Sequence, residues 1–365
     1  MKKIAVVTWF RRGHNLGSSL QAFSMEKYLE KNYYVEFIDY NQEHKNISKK
    51  IKTFLKNCFF RIYNKRIIST WKKYDEWVNE NINYSYKLSN FNDLKKYSEK
   101  FDAAICGSDQ IWNNDLNCDP FYYLRFIDEK KRIAYAPSIG RNYLRNDLKD
   151  LYKRFISEIK YVSVREENAK RLIKEELNID VNVCLDPTFL LTKEEWENIV
   201  KNNDSILDGN NSIFVYLLEP NKQQLDSITE YAKKISKKVV IPVVNPYYKY
   251  DDSAIIINQN DFLNYIHKAD LIITDSFHGM VFSIIFNKNF NIFKRFKDND
   301  KNSQNSRIDD LLTLFNISQD VYVNNNIINH INIDYSIVNK LIEKEAKKSR
   351  DFLNKSLDSV TKVKK

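Results

Sequence analysis

The chain has 365 residues, which at roughly 100–200 residues per domain predicts two domains. Hydrophobic residues make up 43% and aromatic residues 14% of it, which suits packed cores and argues against wholesale disorder. The formal net charge is +10, from 58 Lys and Arg against 48 Asp and Glu, and no recognised nucleic-acid motif accompanies this charge, so we expect no nucleic-acid partner.

Cysteines and apolar runs indicate the cellular compartment. The four cysteines are scattered without a C-x-x-C pair, which argues against a disulfide framework or a zinc site. The first apolar run, Ile4–Val7, is too short for a signal peptide, and no run approaches the roughly 20 apolar residues of a membrane span. We expect a soluble cytoplasmic protein and leave open a peripheral contact with the inner face of the cell membrane.

Short apolar β-rich runs alternate with helical patterns along the chain, which is typical of βαβ units and parallel sheets in an α/β fold. The predicted strands are Ile4–Trp9, Val35–Tyr40, Phe101–Cys106, Arg132–Pro137, Tyr161–Val164, Val181–Leu185, Ser212–Leu218, Lys238–Val244, Ala254–Ile257, Leu271–Thr274 and Phe290–Phe293. The predicted helices are Ser18–Glu30, Glu166–Leu177, Lys222–Lys234, Asp261–Lys268, Gly279–Phe286, Ile308–Leu314 and a long charged helix from about Asp334 to Leu357.

A polar, turn-rich segment at residues 202–211 predicts the linker between the two domains. The first domain would then cover residues 1–201 and the second residues 212–333, with a helix and tail at 334–365. Five of the six glycines, all except Gly209, lie just past the carboxyl end of a predicted strand. Since ligands bind at the carboxyl ends of strands in open α/β sheets, this placement favours a ligand cleft over ordinary tight turns.

The loop after the first strand joins two glycines and two hydroxyls to the start of a helix (residues 11–21). Free N–H groups at a helix start suit an anion or a sugar. The loop is neither a G-x-G-x-x-G fingerprint nor a P-loop, which argues against a dinucleotide or ATP site. His14 and Asn15 are candidate ligand contacts, and an exposed loop is the alternative for His14.

A second polar loop follows the third strand. Asp109, Gln110 and Asn113 could bind sugar hydroxyls there, and Trp112 offers a flat apolar face for a sugar ring. The alternative is a hydrogen-bonded loop with Trp112 buried in the core.

Arg165 stands at the start of a predicted helix, where its guanidinium would suit a phosphate or carboxylate. It could instead pair with Glu166 or with Asp186, and Asp186 could orient Arg165 or simply begin the turn before Pro187.

One segment gives the most specific indication of a functional site. It is a buried strand that ends in Thr274-Asp275-Ser276 and is followed by His278 and Gly279 at the start of a helix. An imidazole and a hydroxyl stand there beside free backbone N–H groups. We predict a functional role for His278, whereas His44, His267 and His330 are expected to be structural.

Six short segments in this order and spacing resemble the polysaccharide pyruvyl transferase family, over about residues 1–317. They are Gly107–Asn113, Ala134–Gly140, Ser163–Glu167, Leu185–Thr188, Thr274–Gly279 and Asn305–Leu312. The resemblance implies two Rossmann-like domains facing across a cleft, as in GT-B glycosyltransferases. It also implies transfer of pyruvate from phosphoenolpyruvate to two hydroxyls of a sugar, forming a cyclic ketal on a cell-surface polysaccharide or its lipid-linked precursor.

Under this resemblance each candidate residue has an expected role. The general acid/base is His278, with Asp109 as the second catalytic candidate. Donor contacts are expected from Arg165, Ser276, Gly279, Arg295 and Arg307, and acceptor contacts from His14, Asn15, Gln110, Trp112 and Asn113. The first domain would hold the acceptor and the second the donor, with no cofactor and no metal. Members of the family often carry Arg where this chain has Ser276, so other arginines would have to supply that charge.

From Lys45 to Lys73 the chain has ten basic residues and no acidic one, with apolar residues at helical spacing. This pattern predicts a basic amphipathic helix facing an anionic membrane or a lipid-linked acceptor, with a solvated face of a packed helix as the alternative. Two other functions stay open, a nucleotide-sugar-dependent glycosyltransferase and a non-enzymatic nucleic-acid binder. The acceptor sugar and the oligomeric state are not predicted.

Overall fold

The computed structural model describes residues 1–40, 65–201, 209–297, 300, 303–329 and 331–362. These residues form two parallel β-sheets with helices packed around them, so the predicted α/β fold is confirmed. Residues 45–64 of the predicted basic stretch and residues 202–208 of the predicted linker lie outside the described residues, as do His44 and His330.

The first sheet has the strand order β2-β1-β3-β4-β5-β6, with neighbouring strands parallel. Its strands are β1 (Lys3–Val7), β2 (Tyr34–Phe37), β3 (Ala103–Cys106), β4 (Arg132–Ala134), β5 (Tyr161–Val164) and β6 (Asn182–Val183). Val7 lies opposite Cys106, and Cys106 lies opposite Ala134. The loops after β1, β3 and β4 therefore leave the sheet at one edge.

The second sheet has the order β10-β9-β7-β8 and is also parallel. Its strands are β7 (Ser212–Tyr216), β8 (Lys238–Val240), β9 (Leu271–Thr274) and β10 (Asn289–Ile292). Tyr216 and Ile292 both lie opposite Thr274, so the loops after these three strands also share an edge.

The strand predicted at Ala254–Ile257 is wrong. Ile255 forms only an isolated bridge with Pro242. Side chains bind the backbone carbonyls on either side of Ile255. Arg66 donates to Ala254 O, and Lys73 Nζ lies 3.3 Å from Ile256 O. These carbonyls are therefore held by a helix and not by a strand.

Helices cover both sheets. They are α1 (Leu16–Leu29), α2 (Lys65–Asn81), α3 (Phe91–Ser98), α4 (Lys149–Ser157), α5 (Glu167–Leu177), α6 (Lys193–Lys201), α7 (Lys222–Lys234), α8 (Gln259–Lys268), α9 (Phe277–Ile285), α10 (Ser306–Leu314) and α11 (Tyr335–Thr361). Helices α3, α4 and α6 have no counterpart among the predicted helices. Within the described residues, no helix is both long and apolar enough to cross a bilayer.

The two halves of the chain share one hydrophobic core. Phe23 of α1 packs on Trp196 of α6, and Trp196 packs on Phe282 of α9, with ring centroids 6.1 and 5.0 Å apart. Helix α11 returns to the first half, where Ser349 Oγ accepts the Leu185 N–H at 2.9 Å and Leu353 is fully buried. This packing holds the loop edges of the two sheets close to each other.

Helix α2 also joins the two halves. Thr70 Oγ1 donates to Val243 O at 3.1 Å, and Trp77 Nε1 donates to Asn260 Oδ1 at 2.7 Å. The described end of the basic stretch thus packs against the second half of the chain, while Lys65 and Lys72 remain exposed.

Candidate active site

A cavity of about 220 Å³ lies between the loop edges of the two sheets. Its lining comes from the loops that follow β1, β3, β7, β9 and β10 and from the start of α10: Trp9, Arg12, Gly13, Asn15, Ser18, Asp109, Gln110, Leu218, Ser276, Phe277, His278, Arg295, Gln304 and Arg307. Such an edge is where open α/β sheets bind ligands. The cavity is therefore the candidate active site.

Three arginines, Arg12, Arg295 and Arg307, make the cavity electropositive. Arg307 is 5% exposed, and its Nη2 donates to Gln304 Oε1 at 2.8 Å. Burial and the charges of Arg165 and Arg295 lower the pKa of Arg307 to about 9. Burial and neighbouring cations disfavour the charged form of Arg307, and an anion bound in the cavity would stabilise it.

The start of α9 positions Ser276, His278 and Gly279. Ser276 caps the helix, because its Oγ accepts the Gly279 N–H at 3.4 Å. A Cβ atom on Gly279 would lie 2.3 Å from Thr274 Oγ1, so this glycine allows α9 to approach β9 closely. Of the two predicted donor contacts in this segment, Ser276 lines the cavity. Gly279 does not line it and packs against Thr274 instead.

His278 lies in the wall between the two halves and is 6% exposed. Its Nε2 is 3.6 Å from Asp186 Oδ2 and has no hydrogen-bond partner among the described residues. The other side of the ring touches the start of α1, where a Cβ atom on Gly17 would lie 2.3 Å from Nδ1. The imidazole is therefore closely confined at the cavity.

Asp109 is held in the cavity wall by fixed donors. Its Oδ2 accepts from Ser18 Oγ at 2.5 Å and its Oδ1 from its neighbour's backbone, Gln110 N, at 2.9 Å. Its φ of +58° lies in the left-handed region, which for a non-glycine residue is uncommon and concentrates at functional sites. Asn15 accepts the Gly17 and Ser18 N–H groups at 3.0 and 3.3 Å and thereby caps α1 beside this carboxylate.

Arg165 lies behind the cavity in a buried ion-pair network. Its Nη1 is 2.9 Å from Asp186 Oδ2, and its Nε is 3.1 Å from Glu166 Oε1. Burial alone would raise the pKa of Asp186, but His278, Arg165 and the Thr188 N–H together hold it well below its usual range. Arg165 and Asp186 line a second cavity of about 220 Å³, which Phe277 and Arg307 separate from the first.

Three predicted acceptor contacts lie away from the cavity lining. Trp112 is buried and stacks on Tyr123 at 5.1 Å, and Asn113 caps the next turn by accepting the Asp115 N–H at 2.9 Å. His14 stacks on Trp71 of α2 at 4.8 Å. Trp112 therefore occupies the core position that was the alternative to a ligand contact. The other two predicted acceptor contacts, Asn15 and Gln110, line the cavity.

The sequence patterns missed Trp9, Arg12 and Gln304. Trp9 places an indole in the cavity wall, with the Arg12 guanidinium 4.2 Å from its ring centre. Gln304 bridges the two halves by accepting from Gln110 Nε2 at 2.9 Å. Trp9 is the last residue of the first predicted strand, so its position at a strand end was the signal that could have identified it.

This arrangement can bind an anion and move a proton. Guanidiniums supply positive charge, and the imidazole and a carboxylate line the same cavity. Within the ranges that the structure describes, no three His, Cys, Asp or Glu side chains converge as metal ligands.

The fold is similar to that of several solved structures. UDP-bound MnaA of Staphylococcus aureus aligns at a TM-score of 0.53 and 12% identity, over 100% of this chain and 98% of that chain. A UDP-GlcNAc 2-epimerase of Neisseria meningitidis aligns at 0.50 and 14%, over 97% and 100%. The glycosyltransferase SnogD of Streptomyces nogalater aligns at 0.50 and 8%, over 98% and 99%. These matches confirm the predicted GT-B-like architecture.

The family model described as polysaccharide pyruvyl transferase matches residues 15–295. This range covers most of the chain and includes Asn15, Asp109, His278 and Arg295 of the cavity lining. No curated protein sequence matches the chain.

Proposed function

Because the chain belongs to the polysaccharide pyruvyl transferase family and is a transferase, we propose that it transfers a pyruvyl group from phosphoenolpyruvate to a sugar. The sugar belongs to a cell-surface polysaccharide or its lipid-linked precursor, and two of its hydroxyls become bridged in a cyclic ketal. The observation that carries this proposal is the cavity that three arginines line together with His278 and Asp109.

The donor carries a carboxylate and a phosphate on three carbons, so its site needs concentrated positive charge. Arg307 and Arg295 supply this charge from the second half of the chain, and Arg12 supplies it from the first. The start of α9 adds backbone dipoles. With Arg165 engaged by Asp186, these three arginines provide the charge that Ser276 lacks.

In the proposed reaction, a proton is added to the methylene carbon of the donor and makes the central carbon electrophilic. One sugar hydroxyl forms a bond to that carbon and loses its proton, and the bond from carbon to the phosphate oxygen then breaks. The second hydroxyl closes the ketal and loses its proton as well. The two hydroxyls release two protons. One of them replaces the proton that was added to the methylene carbon, and the other leaves on hydrogen phosphate.

His278 acts in this scheme as general acid/base, a role that contributes about 10²–10⁴-fold in rate. Asp109 accepts a proton from an acceptor hydroxyl, since this residue lines the same cavity as His278. Trp9 provides the flat face for the acceptor ring, and Asn15 and Gln110 provide polar contacts. These roles place the acceptor against the first half of the chain and the donor against the second.

The test is the release of phosphate from phosphoenolpyruvate in the presence of lipid-linked or nitrophenyl sugars. We expect release by the wild type that depends on the acceptor and collapses in His278→Ala. His267→Ala is the matched control, because His267 lies on α8 near Glu197 and away from the cavity. If no sugar supports release, or if His278→Ala is fully active, the proposal fails.

A nucleotide-sugar-dependent glycosyltransferase is the second candidate, favoured by the likeness in fold to UDP-bound MnaA. The pyrophosphate of such a donor would also need the arginines of the cavity. Calorimetry separates the two functions: binding of UDP or GDP without binding of phosphoenolpyruvate would favour the glycosyltransferase.

We also propose that the protein contacts an anionic membrane surface through its basic stretch. The seven basic residues from Lys45 to Lys65 would each contribute about 1 kcal/mol where they reach such a surface. Liposome flotation that does not respond to the fraction of anionic lipid would contradict this contact.

A further inference from the structure

We propose that Asp186 is the positioning residue of His278, and that it accepts the proton of Nε2 so that Nδ1 exchanges protons in the cavity. As a step in catalysis this role rests on the proposed function. It gives Arg165 and Asp186 a role in orienting the imidazole, although neither residue takes part in the proposed reaction itself.

Asp186 and His278 form a buried imidazole–carboxylate pair, in which Asp186 lies behind the cavity wall that contains His278. Nε2 lies 3.6 Å from Oδ2, and the two side chains are 7% and 1% exposed. Among the described residues Nε2 has no hydrogen-bond partner, and a buried polar atom without a partner is unfavourable. A shift of about 0.4 Å would bring the pair into hydrogen-bond range.

The carboxylate of Asp186 is fixed from both sides. Its Oδ1 accepts from Thr188 N and Oγ1 at 3.1 and 3.0 Å. Its Oδ2 accepts from Arg165 Nη1 at 2.9 Å and from Ser108 Oγ at 3.1 Å. An acceptor held this firmly determines which imidazole nitrogen carries the proton, as carboxylates do for other functional histidines.

The second nitrogen of His278 lies on the side of α1. Nδ1 is so close to Gly17 that a Cβ atom there would be 2.3 Å away. The neighbours Asn15 and Ser18 both line the cavity. With Nε2 committed to Asp186, Nδ1 is the imidazole nitrogen that remains for proton exchange.

The pair also links the two halves of the chain. Asp186 follows β6 of the first sheet, whereas His278 belongs to α9 next to β9 of the second. Arg165 acts through Asp186, because its guanidinium holds the oxygen that faces His278. The imidazole is therefore oriented only when the two halves are docked.

The protonated nitrogen can be identified by ¹⁵N NMR of the full chain labelled at histidine, with His278→Gln to assign the signal. We expect Nε2 to carry the proton in the neutral wild type. Asp186→Asn should shift the proton toward Nδ1 and lower kcat for phosphate release by about 10²–10⁴-fold. The KM for phosphoenolpyruvate should change by less than about threefold, since the interaction lost is not with the donor.

Asp275→Asn is the matched control, because Asp275 is a buried carboxylate in the same segment that accepts the Leu218 and Glu219 N–H groups at 2.7 and 2.9 Å. It should leave the His278 signal unchanged. A wild-type proton on Nδ1 would overturn the inference even if Asp186→Asn does not fold, as would an unchanged signal in a folded Asp186→Asn. A wild type with the proton on Nε2 that releases no phosphate would support this geometry and contradict the proposed function instead.

Discussion

Gly17 and His278 meet so closely that no side chain fits between them. A Cβ atom on Gly17 would lie 2.3 Å from both Cγ and Nδ1 of the imidazole. Helix α1 therefore confines the ring from the first half of the chain, while the backbone of α9 holds it from the second.

We expect Gly17→Ala to displace His278 and to lower kcat for phosphate release by about 100-fold, the scale of a 1 Å misplacement of a catalytic group. The far-ultraviolet CD spectrum should be unchanged, because alanine is favourable within a helix. Ser24→Ala, in the same helix, is the control and should keep the wild-type kcat. Wild-type activity in Gly17→Ala would mean that the ring position is not needed.

Arg307 is expected to make donor binding depend on pH. Since its pKa is lowered to about 9, it is a cation below that pH and loses its proton as the pH rises through it. The affinity for phosphoenolpyruvate should therefore be constant from pH 7 to 8 and fall above pH 9. Calorimetry at each pH measures this.

Arg307→Gln should weaken the binding of phosphoenolpyruvate at pH 7 by about 10- to 100-fold, the value of a hydrogen bond to a charged group, and should abolish the fall above pH 9. Arg295→Gln should weaken binding but keep that fall, because Arg307 is retained. A fall near pH 9 that persists in Arg307→Gln would assign the titration to another group.

Much of the fold could be predicted, because its strands are short apolar runs with a clear pattern. Tyr161–Val164 and Leu271–Thr274 were predicted with the bounds that the structure has. The loops after the strands of parallel sheets share an edge, so Asp109, Ser276 and His278 could be assigned to one site from their order alone. The sequence patterns miss helix α4, because four of its nine residues are charged and it follows an irregular segment.

The rest of the site depends on contacts that sequence order does not contain. Trp9 and Trp112 both follow strands, and only the packing of Trp112 on Tyr123 separates the cavity residue from the core residue. Arg165 has the sequence position of a donor contact, yet Asp186, 21 residues later in the chain, draws its guanidinium behind the cavity. Whether an arginine such as Arg165 contacts a ligand or an internal partner depends on the tertiary structure.

The two tryptophans should respond to substitution in opposite ways. Trp9→Leu removes a flat face from the cavity, so we expect the KM for the acceptor to rise by about two- to tenfold, which corresponds to the energy of one stacking contact. Trp112→Ala should instead lower the free energy of unfolding by about 3–5 kcal/mol, because it leaves a hole in the core. Denaturant unfolding and acceptor kinetics of both variants test this, and an acceptor KM that changes only in a folded Trp112→Ala would reverse the assignment.

Glu26 is expected to make the fold less stable at alkaline pH. Burial raises its pKa to about 7 from 4.5, partly offset by the Asn83 N–H, which lies 3.1 and 3.2 Å from the two carboxylate oxygens. The folded state thus binds the proton more tightly than the unfolded chain. The stability from this proton is complete below about pH 4.5 and is lost as the pH rises through 7.

Glu26→Gln mimics the protonated form at every pH, and its amide oxygen can still accept the Asn83 N–H. Between pH 5 and pH 8, its free energy of unfolding should therefore gain about 1–3 kcal/mol relative to the wild type. Urea unfolding at several pH values measures this gain. Glu30→Gln, at an exposed position that pairs with Lys27, should show no such gain. Parallel stability curves for the wild type and Glu26→Gln would show that Glu26 is ionised in the folded protein across this range.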